Sequence, residues 1–68
     1  MNITVNGERV SVEEDLTVAR LLLDRKVKMP DMVSVELNGK ILARETFVDT
    51  AVRDGDVVEF LYFMGGGA

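Results

Sequence analysis

The stretch Val57-Val-Glu-Phe-Leu-Tyr-Phe63 decides how the rest of the chain is arranged. It holds one charge, Glu59, in an otherwise apolar run, and the turn signal Asp54-Gly55-Asp56 bounds it on its N-terminal side. A short, almost continuously apolar run bounded by a turn reads as a strand buried between neighbours, central in its sheet. Alternation puts Val58 and Phe60 towards the core. Glu59, Leu61 and Phe63 fall on the opposite face.

A central strand needs partners on both sides, and the sequence upstream supplies them. Ile3 and Val5 alternate with polar residues up to Asn6-Gly7, and Val10 and Val12 alternate after it. Asn-Gly between alternating runs is the strongest short-range hairpin signal. Val33, Val35 and Leu37 repeat the pattern before a second Asn-Gly, Asn38-Gly39, which turns the chain into a short strand near Ile41-Leu42-Ala43. Between the two pairs the period changes. Val18, Leu21 and Leu22, with Leu23 beside them, make a helical stripe; Thr17 is its N-cap, and Leu16 packs on Leu21 as a hydrophobic staple. Glu13, Glu14 and Asp15 precede the positive end of the helix dipole, and Arg25, Lys26 and Lys28 follow near its negative end. Pro30 blocks continuation and biases Met29 towards extended backbone. Residues 44–50 read as irregular chain or a short helical turn anchored by Phe47.

The order is hairpin, helix, short strands, turn, last strand. The simplest connection runs the last strand parallel to the first, between strands already formed. The expectation is an α+β fold, a mixed four- to five-stranded sheet with one helix across one face. This is the β-grasp architecture, as in ubiquitin. Residues 1–64 form the domain and residues 65–68 a flexible glycine tail.

Composition excludes several classes of function. The chain has 68 residues, 47% of them apolar and 29% charged, which is globular composition in a single small domain. It has neither Cys nor His, which removes the thiolate nucleophile, the zinc-thiolate site and the commonest general base. A net charge of −4 argues against nucleic acid. No apolar run is long enough to span a membrane and no signal peptide is visible, so a cytoplasmic protein is expected. The charged groups read as scaffold: Glu13-Glu14-Asp15 as solvated charge, Asp54-Gly55-Asp56 as a turn rather than a metal pair, and Arg20, Arg25, Lys26 and Lys28 as solubility and dipole complement. Such a domain is acted upon by enzymes.

Three features then stand together: Leu16-Thr17-Val18 opening the helix, Val35-Glu36-Leu37-Asn38-Gly39, and the Asp54-Gly55-Asp56 turn before the last strand. With the terminal Met64-Gly-Gly-Gly-Ala68 they run the whole length of the chain in order, and the chain resembles the sulfur carriers of the ThiS/MoaD family, the ThiS branch most closely. The resemblance implies a protein substrate with no bound cofactor. An E1-like adenylating enzyme would use ATP to activate the C-terminal glycine carboxylate, and sulfur would displace AMP to leave a thiocarboxylate. Glycine suits that chemistry because, lacking Cβ, it threads a narrow channel in conformations closed to other residues. Four extended residues from Gly65 to Ala68 reach roughly 13–14 Å.

The tail departs from the family in one residue. The working terminus of such carriers is Gly-Gly, whereas here Ala68 follows Gly67. Some relatives with extra C-terminal residues are trimmed by a JAMM-type zinc metallopeptidase and serve amino-acid biosynthesis through a PLP-dependent sulfhydrylase. On that likeness Ala68 is removed, the thiocarboxylate forms on Gly67, and Gly65 and Gly66 give access. Homocysteine (hence methionine) or cysteine is then the favoured product, with the thiamin thiazole, through thiazole synthase, next. Leu61, Phe63 and Met64 are expected to dock on the activating enzyme; the competing reading packs them against neighbouring loops. A ubiquitin-like modifier joined to lysines and a non-catalytic β-grasp binding module are the other functional classes.

Overall fold

Both Asn-Gly pairs turn the chain as their sequence dictates. In the computed structural model, which describes residues 1–27 and 32–62, Asn6 and Gly7 have φ of 51° and 83°, and Asn38 and Gly39 have 52° and 87°. Two consecutive left-handed residues form the turn whose twist matches the flanking strands. The first turn joins β1 (Asn2–Val5) to β2 (Glu8–Ser11), and the second joins β3 (Val33–Leu37) to β4 (Lys40–Ile41). β4 lies one residue earlier than the expected Ile41–Ala43 stretch. Leu42 N–H still donates to Val35 O at 2.9 Å, but the chain then tightens into a 3-10 turn over Arg44–Thr46. Phe47, just past that turn, is buried as expected.

β5 (Val57–Tyr62) occupies the centre of a five-stranded sheet ordered β2-β1-β5-β3-β4. It runs parallel to β1, with Thr4 opposite Val57, and antiparallel to β3, with Val35 opposite Phe60. The mixed sheet expected from the sequence is therefore present. The roles assigned to Lys28, Met29, Pro30, Phe63, Met64 and the residues 65–68 fall outside the described residues.

The helix α1 (Val18–Asp24) is short, and its ends explain how it holds. Thr17 Oγ1 accepts from Arg20 N–H at 3.2 Å, the expected N-cap. Two further orphan donors at the helix start go to the loop after the 3-10 turn: Val18 N–H to Thr50 O and Ala19 N–H to Phe47 O, at 2.9 and 3.0 Å. At the other end, Val27 N–H donates to Leu22 O and Lys26 N–H to Leu23 O, both at 3.1 Å, with Lys26 left-handed at φ 54°. This is a Schellman termination with lysine where glycine is usual. No acidic residue lies in the first turn and no basic residue in the last, but Arg25 stands at the C-cap itself, beside the negative end of the dipole.

Val18, Leu21 and Leu22 face the sheet, and Leu16 is buried with them. Leu23 departs from the expected stripe: one further step of about 100° around the helix carries it off the buried face, and it is 69% exposed. With Ile3, Val5, Val33, Val35, Phe47, Val52 and Val58 these residues make a single apolar core. Among the described residues no buried side-chain polar atom lacks a partner, and no helix is long and apolar enough to cross a membrane.

Candidate functional site

The strand that leads into the glycine tail is held at its first and fourth residues by side chains from the two hairpin turns. Val57 N–H donates to Asn38 Oδ1 at 2.8 Å, and Phe60 N–H donates to Asn6 Oδ1 at 2.8 Å. The turn before the strand is fixed as well. Asn38 Nδ2 donates to Asp56 Oδ1 at 3.0 Å, Arg53 N–H to Asp56 Oδ2 at 2.8 Å, and Asn2 N–H to Asp54 Oδ1 at 2.7 Å. Asp54 and Asp56 thus act as turn anchors. Among the described residues no group of three or more His, Cys, Asp or Glu is placed to hold a metal.

β1 pairs with β5 only as far as Val5 opposite Val58, followed by Asn6 N–H donating to Val58 O at 2.9 Å. β3 continues alongside, up to Val33 opposite Tyr62. The last four residues of β5, Glu59 to Tyr62, are therefore laddered by a strand on one side only. The tail is launched from a strand that has outrun its parallel neighbour. That end of the strand borders an open groove of about 450 Å³ between the first hairpin and the end of α1, with Phe60, Tyr62, Arg25 and Lys26 among its walls.

Register assigns every β5 side chain to a face. Val58 is fully buried and Phe60 packs against the core, while Tyr62 lies opposite buried Val33 on the same side. Val57, Glu59 and Leu61 point the other way, and no element covers that side among the described residues. Leu61, expected there from the sequence, lies opposite Ser34 and is half-buried. Two outward apolar residues were not singled out in the sequence. Val57 is 44% exposed, and Ile41, opposite Glu36, is 58% exposed. Both were readable, Val57 from its i, i+4 relation to Leu61 and Ile41 from the fixed register of a two-residue hairpin. The clamping roles of Asn6 and Asn38 left no sequence signal beyond the turn itself.

The basic residues do not converge as a group. Arg20 pairs with Asp24 one helical turn away at 3.0 Å, and Arg25 approaches Glu8 at 4.0 Å. Arg44 donates from Nη2 to Val33 O at 2.6 Å and lies over the Phe47 ring, 5.5 Å from its centre. Glu13, Glu14 and Asp15 are exposed.

Comparison with known proteins agrees with this geometry. The crystal structure of a thiamine biosynthesis protein (ThiS) from Geobacter metallireducens superposes with a TM-score of 0.92 at 56% identity, covering 98% of this chain and all of that one. The sulfur carrier protein ThiS of Bacillus subtilis is 31% identical over 65 residues, 96% of this chain and 98% of its own length. A thiazole synthase of Paramagnetospirillum magneticum is 35% identical over all 68 residues, which span only 21% of that longer protein. The model of the ThiS family matches residues 2–67, from the first strand through Gly67. The chain belongs to the ThiS family.

Proposed function

We propose that this protein carries sulfide as a thiocarboxylate on Gly67, formed after Ala68 is removed, and delivers it to thiamin thiazole synthesis. As a member of the ThiS family it is a sulfur carrier rather than an enzyme, and it holds no cofactor of its own. The observation that carries the proposal is the extent of the family match, which runs through Gly65, Gly66 and Gly67 and stops before Ala68.

The chemistry assigns this chain one reacting atom group, the terminal carboxylate. A carboxylate oxygen of Gly67 attacks the α-phosphorus of ATP on the adenylating enzyme, and pyrophosphate leaves. Hydrosulfide sulfur then attacks the acyl carbon and AMP departs with the former carboxylate oxygen, leaving –COS⁻. The rest of the domain supplies recognition, and its rigid central strand aims the tail. Attaching sulfide to a docking domain raises its concentration at the acceptor.

Thiazole synthase is the favoured acceptor, a reading supported by the similarity of this chain to part of a thiazole synthase polypeptide in Paramagnetospirillum magneticum. Ala68 favours a second reading, in which a JAMM-type peptidase exposes Gly67 and a PLP-dependent sulfhydrylase takes the sulfur for homocysteine or cysteine. Both share the activation step, which takes place in the cytoplasm.

The test is ATP–pyrophosphate exchange by the E1-like adenylating enzyme of the same organism, given either the full chain or a chain ending at Gly67. Exchange with the shorter form and none with the full chain is expected. Exchange with neither would overturn the carrier proposal. Equal exchange with both would overturn the need to remove Ala68. Adding purified thiazole synthase or the sulfhydrylase to the sulfur-loaded carrier then separates the two acceptors.

A further inference from the structure

Backbone alternation leaves an unpaired stretch at the end of the central strand. Asn38 N–H donates to Val57 O, so the odd residues of β5 turn their backbone groups towards β3. Asn6 N–H donates to Val58 O and Phe60 N–H to Asn6 Oδ1, so the even residues turn theirs towards β1. β1 ends opposite Val58. Phe60 O and both backbone groups of Tyr62 therefore face a slot that no strand fills among the described residues. An open edge of this kind pairs readily with an extended chain that reaches it.

The slot opens into the groove of about 450 Å³ that Glu8, Arg25, Lys26, Phe60 and Tyr62 help to wall. Two cations stand there against one acid. Arg25 approaches Glu8 only to 4.0 Å, and Lys26 has no ion-pair partner among the described residues. Lys26 also keeps left-handed backbone, φ 54°, at a helix end where glycine is the usual residue. A strained residue retained at the mouth of a groove points to a use for its side chain. The balance of charge suits one carboxylate.

The chain's own end fits the slot in length, conformation and charge. Six residues follow Tyr62. Four-residue loops are common between antiparallel strands, and Gly65 and Gly66 allow the backbone angles that such a loop needs. A reversal over residues 63–66 sets Gly67 opposite Tyr62, where each N–H can donate to the other's carbonyl. Ala68 then falls opposite Leu61, and the terminal carboxylate enters the groove beside Arg25 and Lys26. Asn6 closes the slot at Phe60 N–H, so it has room for the two residues left beyond the loop. A strand from another molecule would have to arrive by collision. This segment is tethered to the edge it would pair with, at high effective concentration.

We infer that in the free protein the C-terminal segment folds back over residues 63–66 and adds a short strand to the open edge of β5, its terminal carboxylate held by Arg25 and Lys26. The inference goes beyond the carrier reading, since it concerns the chain before any enzyme engages it. A tail so held keeps Gly67 against Tyr62, and an enzyme that acts on the tail must first peel it from the edge. The fold-back is thus an autoinhibitory contact, set by the same two cations that border the groove.

The experiment is amide hydrogen exchange, followed by NMR, on the full chain and on full-length Arg25→Gln/Lys26→Gln, at low and at high salt. The Tyr62 amide of the unmodified chain is expected to exchange about tenfold more slowly than that of the variant. High salt should close the gap. The Val58 amide, in the paired part of the same strand, should exchange alike in both, whereas a general loss of stability in the variant would speed it too. Carboxypeptidase should release Ala68 faster from the variant by a similar factor. Equally fast exchange at Tyr62 in both proteins would overturn the fold-back. Equally slow exchange in both, insensitive to salt, would overturn the hold of Arg25 and Lys26 on the carboxylate. Slow exchange at Tyr62 only once the adenylating enzyme is added would overturn the tail as the occupant and give the edge to a partner. The ATP–pyrophosphate assay judges the carrier reading separately, since a chain with a free tail can still be activated and a folded-back one can fail.

Discussion

The two faces of the central strand follow opposite rules. Towards the helix, Val58 is sealed in a core with Val35, Val33 and Leu21, and no buried charge interrupts it. Away from the helix, Val57, Glu59 and Leu61 alternate apolar and acidic side chains, and Glu59 faces Glu36 with no ion-pair partner for either among the described residues. The first arrangement is what folding selects: matched apolar surfaces that expel water. The second is a solvent-facing arrangement, in which like charges opposite one another add nothing to stability. On one strand, one face holds the domain together and the other carries no part of the core.

Breaking the inner face should have the largest effect on stability. Leu21→Ala removes a fully buried side chain, and an expected loss of about 2–4 kcal/mol by urea unfolding is severe for a domain this small. Asn38→Ala removes the acceptor for Val57 N–H and the donor to Asp56, at a left-handed turn position. A loss of about 1–2 kcal/mol is expected, with slower amide exchange elsewhere than at Val57. Lys26→Gly relieves a left-handed lysine at the end of α1 and should stabilise by about 0.5–1 kcal/mol, read as a raised melting temperature. Leu61→Ser, on the outer face, should change stability by under about 0.5–1 kcal/mol, while weakening binding to the adenylating enzyme. A loss as large as that of Leu21→Ala would erase the distinction between the faces.

Much of the fold was legible because local and non-local signals agreed. Asn6-Gly7 and Asn38-Gly39 fix two hairpins outright, and the apolar continuity of Val57-Val58 and Phe60-Leu61-Tyr62 places β5 at the centre. The helix was legible in its cap and stripe, but Leu23 shows the weakness of reading a run of three leucines. In a seven-residue helix only the packing decides which of them turns inward. β4 was set one residue late because the 3-10 turn that ends it, with Thr46 Oγ1 donating to Ala43 O, leaves no clear sequence period. The outward placement of Leu61 was legible from strand alternation alone. What depends on register between distant strands was not legible: Glu36 and Glu59 are 23 positions apart in the chain and become neighbours only through the β3–β5 pairing.

The central claim is that sulfur travels on Gly67. The measurement that tests it most directly is the intact mass of this protein isolated from its own cells, grown without supplied thiamin or sulfur amino acids. Loss of one alanine residue together with replacement of one oxygen by sulfur is the predicted mass. A protein retaining Ala68 and an unmodified carboxylate under those conditions would contradict the claim.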